Sequence, residues 1–133
     1  MAKKSWSEKF ATKKATEIKR IDKKFADIPE GASMLIATPE IVAEYVQQIP
    51  SGKSTDIKTM RKDLAAEFHA EYTCPVTSGI FLRIVAEKAF EDIAAGKKDV
   101  IPFWRIIQPD SPLAKKLSFG TAFIAEKRKA EGI

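Results

Sequence analysis

A nucleophile and a base are the first chemistry to consider. The only cysteine, Cys74, and the only histidine, His69, lie close together in the chain. A thiol attacks as its thiolate, so a working pair needs a neighbour that lowers the thiol pKa or takes its proton. No such neighbour is apparent around either residue. The expectation is a buried thiol and a surface histidine, because free cysteine behaves as a small apolar side chain. One His and one Cys also argue against a zinc site, which needs several clustered ligands. Ser51-Gly52-Lys53-Ser54 has the Gly-Lys-Ser ending of a phosphate-binding loop but lacks that motif's first glycine. The carboxylates, such as Glu87 and Glu91, are spread along helices among lysines and form no acid/base pair. The residues therefore point to a non-enzyme without cofactor or metal.

The scale of the chain fits that reading. Its 133 residues suit one domain. A hydrophobic fraction of 44% and a charged fraction of 31% are globular values. A lone cysteine implies a reducing compartment. No apolar run is long enough to cross a bilayer, and no apolar signal core follows the basic N-terminus. A cytoplasmic protein with no membrane partner is expected. The net charge of +5 is compatible with a polyanionic partner.

The elements follow from periodicity. Residues 1–30 read as a basic N-terminal arm, with Lys3, Lys4, Lys9, Lys13, Lys14, Lys19, Arg20, Lys23 and Lys24, either solvated or lying on phosphates. Residues 31–133 form the folded domain. Ser33 to Ala37 reads as a buried strand. Thr38-Pro39-Glu40 starts a helix with a capping hydroxyl, a proline and an acid, which Pro50 and Gly52 stop. A second helix starts at Thr55-Asp56 and runs to about Ala70, with Ile57, Met60, Leu64 and Phe68 on one face. Residues 71–76 read as a loop. Thr77 or Ser78 then caps a third helix, with a stripe of Ile80, Phe81, Ile84, Val85, Ala89 and Ile93, stopped by Gly96. Val100 to Ile107 reads as extended, 108–117 as an irregular loop, and 120–130 as a last helix.

Two helices joined by a short loop and followed by an extended segment describe a mainly α, winged helix-turn-helix-like single domain with a small β component. In such folds the head of the second helix meets the major groove of a duplex. Here that head is Thr77, Ser78 and Gly79, with Arg83 one turn on. The hydroxyls can serve bases or phosphates, Gly79 allows close backbone approach, and the helix end favours an anion. Plain capping explains Thr77 and Ser78 equally well. Lys53, Thr55 and Lys58, with Arg61 and Lys62, complete the expected phosphate face.

Three further motifs carry a resemblance. They are Ile49-Pro50-Ser51-Gly52-Lys53, then Ile101-Pro102-Phe103-Trp104-Arg105-Ile106, then Ala130-Glu131-Gly132. In this order, from about Thr38 to Gly132, the chain resembles the DNA-binding domain of methylated-DNA–protein cysteine methyltransferases and the alkyltransferase-like proteins. The first motif is similar to the family's Ile-Pro-x-Gly entry to the helix pair, the second to its Ile-Pro-Cys-His-Arg-Val active site, and the third to its closing Glu-Gly. The resemblance implies a DNA-binding scaffold with a base pocket formed by Ile57, Phe103, Trp104, Arg105 and Glu131.

The departures remove the chemistry. The family's nucleophilic cysteine falls on Phe103 and its histidine on Trp104, and neither side chain can take up or relay an alkyl group. The alkyltransferase-like proteins also lack the cysteine and bind damaged bases without repair, but this chain's tryptophan stands one place later than theirs. The base-rotating tyrosine falls on Ile57, which removes an aromatic wedge. The arginine that fills the gap of a flipped base has no secure counterpart; Arg83 is the nearest. Phe103 and Trp104 either stack on a base or close the old cavity as core.

The leading expectation is a non-catalytic duplex-DNA-binding protein. The alternative is a protein–protein interaction module on a degenerate alkyltransferase scaffold. That alternative predicts an exposed apolar patch, for which Trp6, Phe10 and Trp104 are candidates.

Overall fold

The computed structural model describes residues 6–11 and 16–133. Residues 1–5 and 12–15, with Lys3, Lys4, Lys13 and Lys14 of the expected arm, lie outside the described residues. The elements in chain order are α1 (Trp6–Ala11), β1 (Glu17–Arg20), β2 (Ser33–Ile36), α2 (Pro39–Gln47), α3 (Ile57–Glu67), β3 (Tyr72–Thr73), α4 (Pro75–Ala94), α5 (Pro112–Lys116) and α6 (Ala122–Glu131). A single 3-10 turn spans Phe103–Arg105. The chain is mainly α with a small three-stranded sheet.

Local chemistry explains most boundaries. Thr38 Oγ1 accepts the amide of Ile41 (3.2 Å) and Pro39 opens α2, as the Thr-Pro-Glu pattern predicts. Asp56, rather than Thr55, caps α3, accepting the Thr59 amide at 2.7 Å. That amide is the main reason the Asp56 carboxyl lies below its usual range. The helix expected from Thr77 or Ser78 begins earlier, at Pro75. Proline needs no amide partner in a first turn. The Cys74 carbonyl accepts from the Ser78 amide (3.2 Å) and hydroxyl (2.6 Å), so Ser78 bonds inside the helix instead of capping it.

Two segments depart from the sequence reading. Val100 to Ile107 is not extended but irregular with a 3-10 turn. Pro102 has no amide for a strand ladder. Ile101, Phe103, Trp104, Ile106 and Ile107 are all buried, and an alternating strand cannot bury consecutive side chains on one face. The expected loop at 108–117 contains α5, which Ser111 caps through the Ala114 amide (3.2 Å).

The sheet order is β1-β2-β3. β2 pairs antiparallel with β1, with Ile18 opposite Leu35, and parallel with β3, with Leu35 opposite Thr73. β1 and β2 lie on either side of position 30, so the sheet joins part of the expected arm to the domain. It lies N-terminal to α4, whereas an extended element was expected after it. The 20-residue α4, about 30 Å long, packs against α1, α2 and α3. Its Phe81, Leu82, Val85 and Ala89 meet Val42, Val46, Met60, Leu64, Phe103 and Ile124 in the core. A smaller cluster of Ile28, Ala32, Met34 and Cys74 lies apart from it. Tyr45 ties α2 to α3, its hydroxyl donating to Asp63 at 2.5 Å. Burial, with that carboxylate, pushes the phenol up to about 12.

Candidate functional site

The residues around the expected base pocket are brought together, but as packing. Phe103 is fully buried. Its ring lies 5.4 Å from Trp104, 5.5 Å from Phe119 and 5.8 Å from Phe123, and Phe90 stacks on Phe119 at 4.1 Å. The space beside Phe103 is filled by aromatic side chains. Ile57 does not join this cluster of rings; it lines a separate groove.

Trp104, Arg105 and Glu131 form a hydrogen-bonded clamp. Glu131 Oε1 accepts from Arg105 Nε (2.9 Å) and the Gly52 amide (3.2 Å). Its Oε2 accepts from Arg105 Nη2 (2.9 Å) and Trp104 Nε1 (2.8 Å). Arg105 also donates to the Ile49 carbonyl (2.8 Å), and its own carbonyl accepts the Thr55 amide (2.8 Å). The clamp fastens residues 49–55 to the end of α6. Gly52, at φ +82°, adopts a left-handed turn that brings its amide to Glu131. Arg105, opposed by partial burial and helped by Trp104 and Gly52, holds the Glu131 carboxyl down to about 2. Every polar group of this set is used internally, which is what a brace between segments requires.

The other expected contact residues separate. Ser78 is fully buried and cannot meet a ligand, because the early helix start turns it inward. Thr77 is half-buried, and its hydroxyl has no hydrogen-bond partner among the described residues. Thr55 is tied through its backbone to Arg105 and to Gln108 Nε2 (2.8 Å). Lys53 is exposed on the turn before α3, and Lys58 is exposed on α3, beside a second cavity. Cys74 is buried with Ile28, Ala32 and Met34, while His69 is exposed with φ +59°. Of the suggested apolar surface residues, Trp104 is buried, and Trp6 and Phe10 are half-buried against other residues.

Gly79 and Arg83 do meet at a site, a groove of about 530 Å³ at the head of α4. It is lined by Pro75, Val76, Gly79 and Ile80 of α4, by Ile106, Ile107 and α5, and by Ile57. Val76 and Ile80 are 54% and 51% exposed, two of the four large apolar side chains so exposed among the described residues. Four polar side chains line the groove: Arg83, Gln108, Ser111 and Lys116. Gln108 and Ser111 are used in internal hydrogen bonds. That leaves two cations and no carboxylate in the lining. Arg83 is steadied from behind. Its Nε lies 3.6 Å from buried Glu87, and its guanidinium lies 5.2 Å from the Trp6 ring centroid. Glu87 in turn accepts from the amide and hydroxyl of Ser118.

No family model, no curated protein and no solved structure matches this chain. Val76 and Ile80 escaped the sequence reading for a definite reason. By sequence alone Val76 reads as loop and Ile80 as part of a buried stripe. α4 is apolar on most of its faces, and such a helix does not reveal which face is uncovered. Lys116 lies in the 108–117 segment, whose sequence reads as irregular. Among the described residues no group of three His, Cys, Asp or Glu side chains is placed to hold a metal. No helix among them is long and apolar enough to cross a membrane.

The charge is unevenly distributed. The first 25 positions hold nine of the 23 basic residues and three of the 18 acidic ones, which leaves 14 and 15 for residues 26–133. The part of the chain that carries α3 and α4 therefore has no positive excess.

Proposed function

We propose that this chain is a non-catalytic protein-interaction module on a degenerate scaffold that resembles the alkyltransferase DNA-binding domain. The head of α4 receives an apolar segment of a protein partner that carries carboxylates. The observation that carries this reading is the groove: Val76 and Ile80 stand half-exposed over it, with Arg83 and Lys116 and no carboxylate in its lining. Covering the exposed halves of the two side chains is worth roughly 1 kcal/mol each. An acidic residue flanking the apolar anchor would pair with cations that lack a full complement of acids. The filled surroundings of Phe103 support a binding role without base capture.

Peptides selected from a random display library on the wild-type chain should converge on apolar sequences with acidic neighbours. Ile80→Asp leaves the melting temperature within about 2 °C of wild type, as expected for an exposed position, and weakens the selected peptides at least tenfold. Convergence on basic peptides, or indifference to Ile80→Asp, refutes the proposal.

Duplex DNA is the second reading, favoured by the nine basic residues of the first 25 positions. Phosphate binding through them would fall steeply between 50 and 200 mM salt. Binding of a duplex that is both salt-steep and abolished by Ile80→Asp would restore nucleic acid as the ligand of the α4 head.

A further inference from the structure

We propose that a second cavity, between α3 and the turn at 25–28, is a binding site for a phosphate group, and that Asp27 occupies its arginine fork as a built-in competitor. The cavity measures about 470 Å³. Ala65, Ala66 and Ala70 leave it open, and Lys58, Arg61 and Lys62 line it.

Arg61 is preorganised. Its side chain is 16% exposed, and its Nε donates to the Thr73 carbonyl at 3.0 Å. The Thr73 hydroxyl donates back to the Arg61 carbonyl at 2.7 Å. This fixes the guanidinium plane and aims its two terminal nitrogens outward. They hold Asp27 in a fork, with Nη2 to Oδ1 at 2.9 Å and Nη1 to Oδ2 at 3.3 Å. Two in-plane acceptor oxygens are what a phosphate also offers.

The occupant is easily displaced. The Asp27 side chain is 59% exposed. It sits at the tip of a tight turn closed by Phe25 and Ile28, beside Ala26 at φ +51°, a left-handed conformation that alanine disfavours. Arg61 holds its carboxyl below the usual range, so it stays charged near neutrality. It leaves the site undercompensated. Glu71, the other acid of the lining, is engaged by the Ser33 amide (3.1 Å) and hydroxyl (3.4 Å). Lys58 and Lys62 form no ion pair among the described residues, so the three cations of the lining face two carboxylates, of which only Asp27 meets the arginine fork. A phosphate dianion meets the same fork with more charge and brings the two lysines into use.

The test is titration of the full chain with inorganic phosphate and, separately, with O-phosphoserine, at constant ionic strength, followed by amide NMR shifts. Saturable binding with shifts centred on 58–62 and 71–73 is expected. Asp27→Asn should tighten it about fivefold by removing the competitor. Arg61→Lys, which keeps the charge but loses the fork, should weaken it at least fivefold. Lys58→Ala with Lys62→Ala leaves the fork and its partner intact; it should weaken binding without moving the melting temperature. Similar affinity for both probes assigns the site to phosphate itself, and clearly tighter O-phosphoserine assigns it to a phosphate carried on a larger molecule. Shifts that stay linear and non-saturable, or an affinity unmoved by Asp27→Asn and Arg61→Lys, overturn the proposal.

Discussion

Replacing Glu131 with Gln should cost this protein roughly 2–3 kcal/mol at neutral pH, and that cost should vanish in acid. Glu131 receives four donors, two of them from Arg105, and its side chain is 15% exposed against 16% for Arg105. Its carboxyl titrates at about 2 against an ordinary 4.5. At about 1.4 kcal/mol per pH unit, that separation corresponds to about 3 kcal/mol; residual solvent access brings it nearer 2. Gln keeps the shape but turns an NH2 group toward donors that need acceptors, leaving part of a half-buried guanidinium unpaired. For a chain of this length the melting temperature should fall by roughly 10 °C. The sign follows from linkage. A group whose folded pKa is depressed contributes its full stability above the unfolded value, near 4.5, and loses it as pH falls toward 2. The lowered carboxyls of Asp27, Asp56 and Asp92 are present in both proteins and cancel. Urea unfolding of wild type and variant at pH 7, 4.5, 3 and 2.5 reads the gap directly. A gap under 0.5 kcal/mol at pH 7, or one that persists unchanged at pH 2.5, would refute the clamp as described.

Two other outcomes follow from the same packing. Phe103→Ala opens a cavity among Trp104, Phe119 and Phe123 and should destabilise by roughly 3–5 kcal/mol in thermal or urea unfolding; a loss under 1 kcal/mol would mean the aromatic cluster is loosely packed. Cys74, buried at 5% exposure, should react with a thiol reagent at least a hundredfold more slowly in native protein than in urea; equal rates would place it at the surface.

Local chemistry carried the reading where a residue's role depends on its near neighbours. Thr38-Pro39-Glu40 announced the start of α2 because capping needs only a hydroxyl three residues from a free amide. Gly96 announced the end of α4 through its φ of +83°. The reading failed where a short polar motif had two solutions. Thr77-Ser78 looked like a cap, but Pro75 can open a helix two residues earlier, and the shift sends Ser78 inside. The apolar residues at 103, 104, 106 and 107, interrupted by Arg105, suit a strand or a tight turn equally, and only the neighbours that cover them choose.

By itself the sequence determined the helical character of the chain, the main caps and stops, the apolar residues available for a core, and the absence of a nucleophile at position 103. All of these follow from residue type and spacing along one stretch of backbone. Tertiary structure decided which apolar face of α4 stays uncovered, that Phe119 and Phe123 fill the space beside Phe103, and that Arg61 meets Asp27 from 34 positions away. Those outcomes depend on which distant segments exclude water from a given side chain, and burial is a property of the assembled surface rather than of any local run of residues.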